Sequence, residues 1–293
     1  MLDRWIYTSK IRVSPEAPIP IVNQQEYFSE MGGAGNVLRH LNNLSLANHH
    51  LIGVCGVDQV AAELKTLEGL DSRQIHFITD SSRSTTLKER FFIDDIPLYR
   101  KDIEEVHDLS KNVESEVLQQ AKDIIKDFSV LLLSDYAKGV LSKTLIQELL
   151  DLAKRENKPV VCDPGFGRIA LFVGCDIIKP NAIEWQEYVA TKESEKIALD
   201  ALFAGGTRCV IITDGKNGIR YFVQGNESRA IPVKAIDVVD VTGAGDSLAA
   251  VISLIVGAGL DLVNYLDILN EVGGQSVLQN RTSLPNLQQI RLT

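Results

Sequence analysis

The sequence has little of what marks an exported, membrane-spanning or nucleic-acid-binding chain. Its four cysteines, Cys55, Cys162, Cys175 and Cys209, lie far apart, form no C-x-x-C pair and sit mostly in apolar segments such as "RCVIITD". That spacing argues against a disulfide framework or a cysteine zinc site and points to reduced core residues in a cytoplasmic protein. The five histidines show no metal or triad spacing: His49 and His50 adjoin, while His40, His76 and His107 stand alone. No apolar run is long enough to cross a bilayer. The most apolar, Leu248 to Leu260, is short and glycine-containing, and "MLDRWIYTSK" at the start has no signal-peptide core. Basic residues are outnumbered, 30 Lys and Arg against 39 Asp and Glu, and the net charge of -9 argues against a nucleic-acid partner. A G-x-x-x-x-G-K-[ST] motif is absent, and both "GAGDSL" and "GGAGNVL" lack the third glycine of G-x-G-x-x-G, with Leu248 and Leu38 in its place.

What is present is the material of a large core: 293 residues, 45% hydrophobic and 24% charged. Short β-type runs alternate with helical patterns, as in "HHLIGVCGV" before "DQVAAELKTLEGL" and "FSVLLLSD" before "SKTLIQELLDLAKREN". This predicts a layered α/β fold on a mostly parallel sheet, with Asp58 and Ser142 capping two of its helices. Two segments, about residues 6–28 and 84–102, read as extended arms without helices between them and predict a small β flap. No repeat or linker divides the chain, so residues 1–293 are expected to form one domain. The exposed edges of the flap would suit pairing in a homodimer.

One stretch departs from ordinary helix design. "DVVDVTGAGDSLAAVI", Asp237 to Ile252, places Gly243, Ala244 and Gly245 between a strand-like run and an apolar helix. At a helix N-terminus the first amides lack intrahelical partners and the dipole is positive, so glycines there let an anion come close. Asp246 beside such a site makes sense as a base that takes a proton from a hydroxyl attacking a phosphate. A tight strand-to-helix turn with no ligand accounts for the same glycines.

"DVTGAGD" resembles the signature of the ribokinase-like (PfkB-type) carbohydrate kinases. Further landmarks follow in the expected order: "GGAGN" at Gly32–Asn36, "DYAKGVL" at Asp135–Leu141, "KPNAIE" with N-x-x-E at Asn181–Glu184, and "TDGKNG" at Thr213–Gly218. "RVSPEAPIPIV", "TTLKER" and "SDYAKGVL" are similar in particular to the heptose 7-phosphate kinases. The resemblance implies a ribokinase-like three-layer α/β/α fold, ATP and Mg²⁺ as cofactors, and a sugar phosphate as the small-molecule partner. It implies Asp246 as catalytic base, with the amides of Gly243, Ala244 and Gly245 stabilising the transferring phosphoryl group. Asn181, Glu184, Thr213, Gly215, Gly218 and Thr242 would serve ATP, with Glu184 arranging Mg²⁺ through its waters and the ATP phosphates. Asp3, Arg12, Gly32, Gly33, Asn36, Lys88, Arg90 and Asp135 would serve the sugar phosphate.

Simpler roles stand beside these. Asn181 and Glu184 make a helix cap and a first-turn acid, Asn36 can cap the helix at "VLRHL", and Lys88 and Arg90 can belong to a solvated strand face. Within the fold, another sugar, a sugar phosphate, a nucleoside, or a catalytically silent binding role are the alternatives.

Four departures from the heptose kinase pattern stand out. "DPGFG", Asp163–Gly167, has Gly165 where a lysine is usual, and Lys179 replaces a more usual threonine. The nucleotidyltransferase domain fused to many heptose kinases has no counterpart in these residues, so kinase activity alone is expected. Met1 aligns with an internal methionine of a "G-D-x-M-L-D-R-Y" pattern, so the family's first strand is expected to be missing upstream of Met1.

Overall fold

The computed structural model describes residues 1–45, 47–67, 73–93, 96–225, 228–232 and 243–276. The chain opens with β1 (Leu2–Val13) and β2 (Pro20–Met31), then α1 (Ala34–Leu44), β3 (Leu51–Cys55), α2 (Gln59–Thr66) and β4 (Ile75–Thr79). Next come β5 (Leu87–Ile93), β6 (Ile96–Ile103), α3 (Lys111–Ile124), β7 (Leu131–Ser134), α4 (Lys143–Arg155) and β8 (Val160–Asp163). After β9 (Ile177–Ile178) follow α5 (Ala182–Ala190), α6 (Glu195–Ala204), β10 (Cys209–Thr213), β11 (Ile219–Val223), β12 (Arg229–Ile231), α7 (Ala244–Gly257) and α8 (Leu266–Ser276).

The central sheet runs β12-β11-β10-β9-β8-β7, parallel from β7 to β10 and antiparallel from β10 to β12. Alternate residues of its strands feed two cores, because successive side chains of a strand point to opposite faces. Val160, Cys162, Ile178, Val210 and Ile212 pack with α3, α4, α5 and α6 on one face. Val161, Ile177, Cys209 and Ile211 pack with α7 and α8 on the other, completing three layers. Local chemistry agrees with this packing. The Asp58 carboxylate accepts from Ala61 N at 2.7 Å and the Ser142 hydroxyl accepts from Leu145 N at 3.1 Å, each satisfying an amide that the helix leaves without a partner.

The flap is a separate four-stranded sheet in the order β2-β1-β5-β6. It is longer than the sequence pattern indicates, because β1 begins at Leu2 and β6 ends at Ile103. Its root is anchored where Leu2, Met31 and Leu87 bury themselves against Leu64. Farther out, Val13, Ile19, Tyr27, Ile96 and Tyr99 are exposed.

Among the described residues β3 pairs with β4 and β7 with β8, and no ladder joins β3 to β7. Between them lies an apolar cavity of about 800 Å³, lined by Leu51–Val54, Leu131–Ser134, Leu38 and Met1. Burial lowers the pKa of the Met1 ammonium, which is the cost of taking a charge out of water.

Candidate active site

The site lies at the carboxyl ends of β7 to β10, where open α/β sheets place their ligands. From β7 come Ser134, Asp135 and Tyr136; from β8, Asp163; beyond β9, Lys179 and Asn181; and from β10, Thr213. The N-terminus of α7 faces this rim. Gly243 takes φ +85°, a left-handed conformation that suits glycine, so the chain turns into the helix there. Thr242 and the strand-like run before it lie outside the described residues.

Asp246, in the first turn of α7, is held from two sides. Asn36 Nδ2 donates to Oδ2 at 2.7 Å and the Tyr136 hydroxyl donates to Oδ1 at 2.7 Å. The Ser134 hydroxyl lies 3.0 Å from that of Tyr136 and extends the network. Burial raises the Asp246 pKa from 3.8 to about 6, although Asn36 and Tyr136 both favour the carboxylate. A carboxyl tuned this way is ionised at neutral pH yet basic enough to share a proton with an attacking hydroxyl.

Asn36 is fully buried and also accepts from Arg39 Nη1 at 3.3 Å, while Arg39 grips Glu30 with both terminal nitrogens at 3.1 Å. In this conformation the amide orients the carboxylate of Asp246, and its Nδ2 is engaged there. Tyr136 was missed in the sequence because "DYAKGVL" draws attention to its aspartate. Asp135 is itself occupied by the Arg168 guanidinium and by Ala137 N, which donates at 2.9 Å, so it shapes the turn that presents Tyr136.

Asp3 lies buried at the root of the flap, 2.6 Å from Arg90 Nη1, and an added Cβ at Gly32 would fall 2.0 Å from its Oδ2. Glycine at 32 is therefore what lets the start of α1 close on Asp3. Gly33 caps α1 beside the Tyr136 ring, where an added Cβ would lie 3.1 Å from Cε2. Lys88 pairs with Asp102 at 2.9 Å and lies 3.6 Å from Glu104, so both flap cations already have carboxylate partners. Arg12 is exposed on β1, nine residues beyond Asp3 and so about 30 Å along an extended strand, and is not brought to the rim with Asp3.

The Asn181 side chain accepts from Ile183 N and Glu184 N at 2.9 Å, and Glu184 Oε2 accepts from Asn181 N at 2.8 Å. The capping box is therefore formed, and it places a carboxylate at the rim. Burial raises the Glu184 pKa. Asp163 is likewise raised by burial, against the opposing pull of Lys179. These hard oxygen donors suit Mg²⁺, which keeps several waters and binds through phosphates. Asn181 bridges to Thr213, and a turn from Asp214 to Gly218 follows, with Gly215 at φ +48° and Gly218 at φ +89°. Thr213, Gly215 and Gly218 thus line the same carboxyl-end rim.

Among the described residues no helix is long and apolar enough to cross a membrane. The fold is that of known sugar kinases. A mutant form of phosphofructokinase-2 from Escherichia coli superposes with a TM-score of 0.77 at 15% identity, covering 97% of this chain and 92% of that one. Arabidopsis thaliana ribokinase complexed with ribose and ATP gives 0.68 at 16% identity, covering 96% and 91%. In sequence, the bifunctional protein HldE of Caulobacter vibrioides is 34% identical over 97% of this chain and 59% of its own length. HldE of Hyphomonas neptunium is 38% identical over 88% and 54%. The chain thus spans little more than half the length of these relatives. The profile of the pfkB family carbohydrate kinases matches residues 1–289, and on this match and the HldE similarity the chain belongs to that family.

Proposed function

We propose that this chain transfers the γ-phosphoryl group of ATP to a hydroxyl of a phosphorylated sugar, and that the sugar is heptose 7-phosphate, giving the 1,7-bisphosphate used to build the lipopolysaccharide core. The observation that carries the reading is Asp246: a carboxylate with a pKa near 6, held by two donors at a glycine-rich helix N-terminus. In the reaction, Asp246 takes the hydroxyl proton as the sugar oxygen attacks phosphorus. The amides at the start of α7 donate to the oxygens of the transferring group, where charge changes most. Asn36 and Tyr136 hold the base in place. Asp3, oriented by Arg90, accepts from a second sugar hydroxyl, and the flap closes to exclude water. Mg²⁺ would neutralise phosphate charge, with Glu184 and Asp163 arranging its waters.

The heptose assignment draws on the likeness of "RVSPEAPIPIV", "TTLKER" and "SDYAKGVL" to heptose 7-phosphate kinases and on the HldE relatives. One observation favours a second reading, a kinase of an unphosphorylated sugar or a nucleoside. Lys88 and Arg90 are already neutralised by carboxylates. A panel of heptose 7-phosphate, fructose 6-phosphate, ribose and adenosine with coupled ADP detection decides between them. Preference for the heptose by at least tenfold in kcat/KM supports the first reading, and ADP formed only with ribose or adenosine supports the second. ADP formed with none of them refutes both. The exposed Tyr27, Ile96 and Tyr99 of the flap give a second copy an apolar surface, and we propose a homodimer formed there. Sedimentation as a monomer at micromolar concentration would exclude it.

A further inference from the structure

We infer that Arg83 is a positioning residue for the base, holding from the root of the flap the turn that presents Tyr136 to Asp246. The inference rests on the kinase reading above and adds to it a link between the flap and the catalytic carboxylate. Arg83 lies in the connection between β4 and β5, where the chain enters the flap, and it is only 8% exposed. A guanidinium this buried must find acceptors for its donors. Its Nε donates to Asp80 Oδ2 at 2.8 Å, and that pairing neutralises the charge. The two terminal nitrogens reach distant backbone: Nη1 donates to Lys138 O at 3.1 Å and Nη2 to His107 O at 2.9 Å. His107 follows β6, where the chain leaves the flap, so one side chain joins both ends of the β5–β6 pair to the turn after β7.

That turn needs holding. Ala137 takes φ +55° and Gly139 φ +79°, and an alanine in the left-handed region persists only where its surroundings impose it. From one side, Asp135 accepts from Ala137 N at 2.9 Å. From the other come the grip of Arg83 on Lys138 O and the Lys138 ammonium, which donates to Glu104 Oε1, just beyond β6, at 2.7 Å. Gly139 lies so close to this exit from the flap that an added Cβ would run into His107 O. The product of the turn is the bond from the Tyr136 hydroxyl to Asp246 Oδ1 at 2.7 Å. Without Arg83 the Lys138 carbonyl loses this donor, the turn relaxes from its left-handed conformation, and the hydroxyl is drawn away from the base. Asp246 then loses a donor that favours its ionised form and holds its proton more tightly. Beyond its burial and the bond from Asn36, Asp246 also feels Asp163 and Lys179, and none of these three residues is a hydrogen-bond partner of Arg83. Tyr136 is therefore the path by which Arg83 reaches the base.

The test is Arg83→Met, with Asp80→Asn/Arg83→Met beside it because the single change leaves a buried carboxylate unpaired. Both are made in the wild-type and in the Tyr136→Phe background. The titration midpoint of Asp246 is read by ¹³C NMR of carboxyl-labelled aspartate, its resonance identified by its loss in Asp246→Asn, and kcat and kcat/KM are measured across the same pH range. In the wild-type background either Arg83 variant should raise the midpoint by about 0.5 pH unit or more, move the acid limb of the rate profile with it, and lower kcat about threefold or more. In the Tyr136→Phe background the same changes should add no further shift and less than about twofold in kcat, because the path through the hydroxyl is already cut. A folded Arg83 variant with an unmoved midpoint overturns the inference, as do effects that add in full to those of Tyr136→Phe. Failure of both Arg83 variants to fold assigns the residue to stability alone and overturns it as well. The titration reads Asp246 without turnover, so a wild-type chain that forms no ADP with any acceptor removes the kinase reading while the midpoint still decides the role of Arg83.

Discussion

Replacing Asp246 by asparagine should make the protein more stable and nearly inactive, and pH separates the two effects. In the folded chain burial moves this carboxyl from 3.8 to about 6. At about 1.36 kcal/mol per pH unit, ionising it in place costs at most about 3 kcal/mol relative to the unfolded chain. The side chain is partly exposed at the rim, so solvent screening brings the expected figure to about 1–2 kcal/mol. The sign follows from the raised folded pKa: the penalty is absent below about pH 4, grows as pH rises through about 6, and is complete at pH 8. Asparagine carries no charge and escapes it. Its oxygen accepts from Asn36, and its amide nitrogen donates to the Tyr136 oxygen, whose own proton turns to Ser134. Melting curves from pH 4 to 9 should therefore show the variant higher by about 2–5 °C at pH 8 and level with wild type near pH 4. Its kcat should fall by about 10²-fold or more, because an amide cannot take the proton. Wild-type kcat/KM should decline below about pH 6 as a single protonation. Equal melting temperatures across the range, or near-normal kcat in the variant, would refute the placement of a destabilising, functional carboxylate here.

Tyr136→Phe removes one of the two donors to Asp246, so the acid limb of the pH–rate profile should move to higher pH and kcat should fall about tenfold; an unmoved limb would show that the hydroxyl does not touch the base in solution. Lys88→Ala should raise KM for a phosphorylated sugar at least tenfold and leave KM for ATP within threefold, and equal effects would assign Lys88 to its pair with Asp102 alone. A version of the chain carrying an apolar β-forming segment before Met1 should fill the cavity between β3 and β7, relieve the buried ammonium, and melt several degrees higher. Equal melting temperatures with and without the segment would show that the cavity does not receive a strand.

Much of this protein is written in local sequence. The alternation of β runs with capped helices announces the layered sheet, because periods of 2 and 3.6 decide which face each element can bury. "TGAGD" likewise announces a helix start with a carboxylate in its first turn, since capping and backbone freedom are local properties. Other features depended on which residues the fold brings together. Asn36, Tyr136 and Asp246 are separated by 210 and 110 positions in their hydrogen-bonded pairs, so only packing of α1 and the end of β7 against α7 could make Asn36 and Tyr136 partners of the base. Lys88 and Arg90 share a strand face in sequence, but the neighbouring strands supplied carboxylates to both, and a cation's partners across a sheet are invisible to its own alternation. Gly165 and Lys179 were legible in the sequence only as two departures from a pattern. Their contacts were decided in space, where the ends of β8 and β9 lie side by side, Lys179 pairs with Asp163, and a Cβ at 165 would press on the turn at Ala137.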